Sequence, residues 1–200
     1  MANNNKVQIV TAKGEILYPK IRQTETFNGE DTGKYVVSIK LSKEETDKLI
    51  ARLEDEWEAA KQSPEFRNKT FKKGTEPNLG YREDKDGDIV FKAKTSAVIK
   101  TKKGETIERE VPVFDAKGKP IKDDIGHGSI GRLSITPAPY HTASNNYGLV
   151  LYLNGIQIVD LKPPGSFNSA ESLGFGEEDG YTVEDPAADM GFPPDDKEEF

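Results

Sequence analysis

The sequence predicts a mainly β, α+β domain: about five or six strands of ordinary length, mostly paired antiparallel, with one helix packed on them. Three observations predict it. Short apolar–polar alternations recur along the chain, bounded by turn signals rich in Gly, Pro and Asp. One segment alone has convincing helical spacing. Of the 200 residues, 34% are hydrophobic and 32% charged, which is enough apolar material for one core with a polar excess left over.

In order, residues 7–10 (VQIV) and 15–18 (EILY) flank Lys13-Gly14 and read as a hairpin or as one bent strand. In KYVVSIKL (34–41), Tyr35, Val37, Ile39 and Leu41 share one face; Val36, Ser38 and Lys40 share the other. Ser42-Lys43-Glu44-Glu45 is a capping box, in which the Ser hydroxyl accepts an amide of the first turn and the Glu reaches back. Thr46, Leu49, Ile50, Leu53, Trp57 and Ala60 follow at helical spacing, and Ser63-Pro64 ends the run. Residues 64–88 read as loop. IVFKAKTSAVIK (89–100) then sets Ile89, Phe91, Ala93 and Ile99 against Val90, Lys92, Lys94 and Lys100. Lys103-Gly104 and Lys117-Gly118 turn the chain. SIGRLSIT and YGLVLYLNGIQIVDL complete the strands, with Gly155 suited to a bulge. A five-stranded Greek-key barrel with one helix between strands fits an OB-fold; the pattern leaves a β-sandwich or an SH3-like barrel open.

Charge divides the chain. The net charge is −7, yet residues 171–200 hold eleven acids and one base, Lys197. Residues 1–170 are therefore mildly basic, at +3. After Leu161, Lys-Pro-Pro-Gly-Ser reads as a linker, so the chain divides into a folded domain over 1–161 and a disordered acidic tail over 162–200. There is no Cys and there are two His, His127 and His141, which argues against disulfides, thiolate chemistry and a multi-His metal site. No apolar run has membrane-spanning length and the start MANNNKVQ lacks a signal-peptide core, so a soluble, cytoplasmic protein is expected.

Motifs suggestive of enzymes fail on context. Gly126-His-Gly-Ser-Ile-Gly131 matches a dinucleotide fingerprint, but a strand pattern follows it where the phosphate-binding helix is needed. It reads as a flexible turn with amides available to a phosphate. A calcium loop centred on Gly87 would need ligands at Arg82 and Ala93, so Asp84–Asp88 reads as a hairpin turn. No nucleophile motif or acid–base pair stands out, and no enzyme and no cofactor are expected.

The stronger signal is cations interleaved with aromatic rings, the combination that tracks a phosphodiester backbone while bases stack. Candidate residues for a single-stranded DNA site are Lys92, Lys94 and Lys100 on one strand face, and Arg132, Tyr140, Tyr147 and Tyr152 on or between the last two strands. Lys69, Lys72 and Lys73 in the loop widen the track. Trp57 belongs to the core by its helical spacing. At the chain end, Asp195, Asp196, Glu198 and Glu199 precede Phe200, an acidic segment that mimics backbone charge and ends in an aromatic anchor.

GKYVVSIKLS, the following helix, the run from DGDIVFKAK through VPVFDAKGKPI to SITPAPY, and YGLVLYLNGIQIVDL together resemble the bacteriophage single-stranded DNA-binding proteins of the T7 gene 2.5 type. The resemblance covers residues 33–161 and the style of the tail. It implies an OB-fold with a helix inserted after an early strand. It also implies non-catalytic coating of single-stranded DNA in phage replication, recombination and repair. The tail is implied to compete with DNA and to recruit the phage polymerase and helicase–primase, with homodimers possible through it. Here the tail is less dense in acids, and the region before residue 33 is short. The alternative reading is an acidic-tailed interaction adaptor on an OB-like scaffold that binds no DNA.

Overall fold

The computed structural model describes residues 7–101 and 104–165. Five strands form the barrel: β1 (Gly14–Lys20), β2 (Lys34–Lys40), β3 (Ile89–Ser96), β4 (Ile130–Ala143) and β5 (Asn146–Asp160). One helix, α1 (Lys43–Gln62), lies between β2 and β3. β1 pairs β2, β2 pairs β3, β5 pairs β4 and β4 returns to β1, all antiparallel. The ring closes through β3 and β5, which run parallel and meet at Leu151↔Ala93 and Tyr152↔Lys94. This closed order is the OB-fold expected from the sequence, with that one seam parallel.

The alternation selects the inward face. Ile16, Val37, Ile39, Phe91, Leu133 and Leu151 are at most 1% exposed and fill the barrel. The first apolar segment is a bent strand rather than a hairpin: Ile9–Val10 and β1 both pair antiparallel with β4. At the corner Gly14 stands opposite Gly131. A Cβ on Gly14 would lie 2.4 Å from the Lys40 carbonyl, and one on Gly131 2.5 Å from that of Gln157, so only glycine lets these strands approach.

The β4–β5 hairpin carries a bulge. Ser134 faces Gly155 while Ile135 faces Leu153, leaving Asn154 as the extra residue. The inward set consequently changes from Leu149, Leu151 and Leu153 to Ile156 and Ile158.

α1 begins where the capping box places it. Ser42 accepts a hydrogen bond from the Glu45 amide, and Ser63 ends the helix. Its buried residues, Thr46, Leu49, Leu53 and Trp57, recur at the spacing of one helical face. That face packs on β4 and β5. Trp57 anchors an aromatic cluster with Phe66, Phe71 and Tyr147.

Two local expectations change. β3 stops at Ser96, and Val98–Lys100 forms a separate two-stranded ribbon with Thr106–Glu108, so Ile99 does not share the Phe91 face. The Gly126–Gly131 turn does not offer its amides to a ligand: Gly126 N–H donates to Lys162 O, Gly128 N–H to Ile16 O and Ser129 N–H to Gly126 O. By contrast, the Asp84–Asp88 turn is as read, with the Asp84 carboxylate accepting from the amides of Asp86 and Asp88. The acidic segment from residue 166 onward lies outside the described residues.

Candidate nucleic-acid interface

The outer face of β3 carries two cations because its period is two. Phe91 and Ala93 point inward at 1% exposure, which turns Lys92 and Lys94 outward. Pairing registers set their neighbours: Ser38 faces Lys92, Val36 faces Lys94 on one side, and Tyr152 faces Lys94 across the parallel seam. Both lysines line an open trough of about 520 Å³ that also receives Arg82, Tyr140, Thr142 and Asn146.

Each wall has a local cause. Tyr140 sits on β4 opposite Gly148. Gly148 has φ +147°, and a Cβ there would lie 1.9 Å from Asn78 O. The missing side chain lets the segment around Asn78 run along β5, with Asn78 N–H donating to Tyr147 O and Leu149 N–H to Asn78 O. From that segment the chain enters Tyr81–Glu83, which pairs with β3 and presents Arg82.

The electrostatics are those of a crowded cationic strip. Desolvation holds the Lys94 ammonium below its usual pKa, and the charges of Lys34 and Lys92 add to the effect. An incoming anion offsets the repulsion among these lysines directly. Lys92 donates to Glu25 Oε1 at 2.7 Å. Partial burial raises the pKa of the Tyr140 phenol.

The sequence candidates separate into groups. Lys92, Lys94 and Tyr140 share the trough, and Tyr152, 45% exposed, adjoins it through Lys94. Lys69, Lys72 and Lys73 are exposed on the loop before Asn78. That loop is held to the tip of the β4–β5 hairpin, where the Lys72 amide donates to Ser144 O and His141 Nε2 lies 2.9 Å from Thr70 O. Arg132 has the outward parity expected of it, yet it pairs with Gln157, eight residues from Tyr140 along β4. At the usual rise that is about 26 Å, and Arg132 lines a different depression beside Val10 and Glu45. The side chain of Lys100 and the tail residues Asp195, Asp196, Glu198, Glu199 and Phe200 lie outside the described residues.

Tyr147 is corrected from a stacking candidate to a core residue. It is 6% exposed, lies parallel to Trp57 at 5.8 Å between ring centroids, and donates its hydroxyl to Thr75 O. Its parity with Leu149, Leu151 and Leu153 was the available signal. Phe66 and Phe71 likewise turn inward onto Trp57, so the loop contributes cations to the surface without their interleaved rings. Tyr147→Phe is expected to lower stability by about 1 kcal/mol, read as a melting-point drop of about 2–4 °C. An unchanged melting curve would remove the hydroxyl from the structural account.

Other residues escaped the sequence reading. Arg82 was visible only as one loop base among several, and its pairing with Val90 makes it a trough residue. Tyr18 and Phe27 are 70% and 69% exposed. Tyr18 has φ +48°, rare for an aromatic residue, and meets the His127 ring edge-on at 4.5 Å.

A cationic trough over β3 and the β4–β5 hairpin of an OB barrel, bordered by Tyr81 and Tyr140, has the composition of an oligonucleotide site. The model of the family "Single-stranded DNA-binding protein, Bacteriophage T7" matches residues 18–161. The chain belongs to this family. Its members are DNA-binding proteins, not enzymes. The crystal structure of gp2.5, a single-stranded DNA-binding protein encoded by bacteriophage T7, superposes with a TM-score of 0.64 at 22% identity, covering 90% of this chain and 100% of that one. The single-stranded DNA-binding protein of bacteriophage Enc34 in complex with single-stranded DNA gives 0.57 at 14% identity, covering 80% of this chain and 89% of that one. A further structure of the Enc34 protein gives 0.55 at 16%, covering 82% and 88%. These likenesses establish the fold. No curated protein matches the chain.

Proposed function

We propose that this family member coats single-stranded DNA through the trough on β3, with the barrel over 1–161 as the binding domain and 162–200 as an acidic leash. The observation that carries the reading is the convergence of Lys92, Lys94, Arg82 and Tyr140 on one open face. Lysine and arginine neutralise phosphates; Tyr140 and Tyr152 offer faces to unpaired bases. Duplex DNA presents no free base faces, so the same groove prefers single strands. Phage replication, recombination and repair are the settings in which such coating acts, in the host cytoplasm. Among the described residues no helix is long and apolar enough to cross a membrane.

The leash supplies a competing polyanion. Its eleven acids and terminal Phe200 make it a ligand for the protein's own cationic face and for replication partners, the phage polymerase and helicase–primase, and a route to dimers. Titration of fluorescent oligo-dT is the test. The full chain binds oligo-dT in preference to a duplex of equal length, and binding weakens with salt. Deleting residues 177–200 tightens binding at low salt and steepens its salt dependence. Equal affinity with and without the tail rejects the leash, and no binding at any salt favours the adaptor reading.

A further inference from the structure

Among the ion pairs of the described residues, Lys92–Glu25 places a carboxylate on a trough lysine. The other pairs lie along α1 or join Lys40 to Glu15 and Asp88. Glu25 is not a surface glutamate that happens to reach across. Its amide donates to Lys34 O at 2.8 Å and its carbonyl accepts from the Thr32 amide at 2.8 Å. The chain from 25 to 33 is thereby closed on itself against the start of β2, with Asp31 bonding Gly33 N–H. The backbone holds residue 25 beside β2, within side-chain reach of Lys92, 67 residues away in sequence. Its side chain is 30% exposed.

A carboxylate at 2.7 Å from an ammonium occupies the position that a phosphodiester oxygen takes at the same lysine. The strip continues from Lys92 in one direction, with Lys94 two residues on and Lys34 beyond it, opposite Ser96. One acid therefore offsets a strip of three cations. We propose that Glu25 is a built-in counter-ion that stands in for a DNA phosphate at Lys92 and is displaced when the strand binds. It keeps the strip compact in the free protein and sets how tightly phosphates are held there. The residue determines affinity without contacting a base. This rests on the single-strand-binding reading above.

The test is a coupling measurement in the full-length protein with oligo-dT as probe, at low salt. Glu25→Gln removes the charge and keeps the size. Exposed ion pairs of this kind are weak, so binding tightens by about two- to fivefold. Glu30→Gln removes the same charge from the same loop without touching Lys92, and gives less than half that gain. Lys92→Ala weakens binding, and adding Glu25→Gln to Lys92→Ala gives less than half the gain it gives beside Lys92, because only the weaker field of Glu25 on Lys94 is left to remove. Glu25→Asp, which keeps the charge but withdraws the carboxylate by one methylene, tightens binding part of the way and serves if the Gln variant unfolds. An equal gain from Glu25→Gln with and without Lys92, or no gain at all, overturns the counter-ion while leaving the function standing. Failure of the wild-type protein to bind oligo-dT overturns both.

Discussion

Lys92→Glu with Lys94→Glu is expected to weaken oligo-dT binding by an order of magnitude or more, and to flatten its salt dependence. Each lysine that neutralises a phosphate contributes about 0.7 to the slope of log affinity against log salt for a single strand, so losing two contacts removes about 1.4. Reversal adds repulsion, because the new carboxylates face the same phosphates with Lys34 and Arg82 as the nearby compensating cations. The barrel keeps its packing, since Phe91 and Ala93 fill it and both lysines lie on the outer face, but a carboxylate at position 92 faces Glu25, so the loss of stability falls on the 25–33 loop. Titration at several salt concentrations, alongside a circular-dichroism melt, separates lost contacts from lost structure. An unaltered slope with an intact melt would take β3 out of the interface.

Trp57→Ala is expected to cost the domain about 3–5 kcal/mol, the range for deleting a buried large aromatic. Trp57 is 4% exposed and meets Phe66, Phe71 and Tyr147 at centroid distances of 5.9, 6.0 and 5.8 Å. These partners belong to the helix-following loop and to β5, so the indole joins three parts of the chain. At about 2–4 °C per kcal/mol for a domain of this size, the melting point falls by roughly 6–20 °C. The loop bearing Lys69, Lys72 and Lys73 loses its apolar anchor as well. A drop of only a degree or two would show that the cluster closes over the gap.

The strands and the helix were legible because their signals are local. Alternation in KYVVSIKL and IVFKAKT reports which residues face in, and the Ser42 box marks where α1 begins. Parity also placed Lys92, Lys94 and Tyr152 outward. What parity does not carry is distance along a strand or the choice of partner strand. Arg132 has the right face and the wrong end of β4. Tyr147 was misread because its neighbours His141, Asn145 and Asn146 look like a polar loop, although it keeps step with Leu149. Glu25 left no trace at all, since it lies in an aperiodic turn and its partner is set by tertiary pairing.

The order in which the barrel strands occur has a consequence for biosynthesis. β1, β2 and β3 form a meander whose pairings are available as soon as each is made, but the two remaining seams, Glu15↔Ile130 and Ala93↔Leu151, wait for the final hairpin. With translation at about 5–20 residues per second, the nascent meander persists for seconds as an open sheet, unsealed along β1 and along the Ala93 end of β3, whose Ile89–Phe91 end Tyr81–Glu83 already covers. β4 and β5, arriving together, act as a single closing stave. Until then the half-built cylinder shows unpaired backbone along β1 and at the Ala93 end of β3, the places where a foreign strand could add.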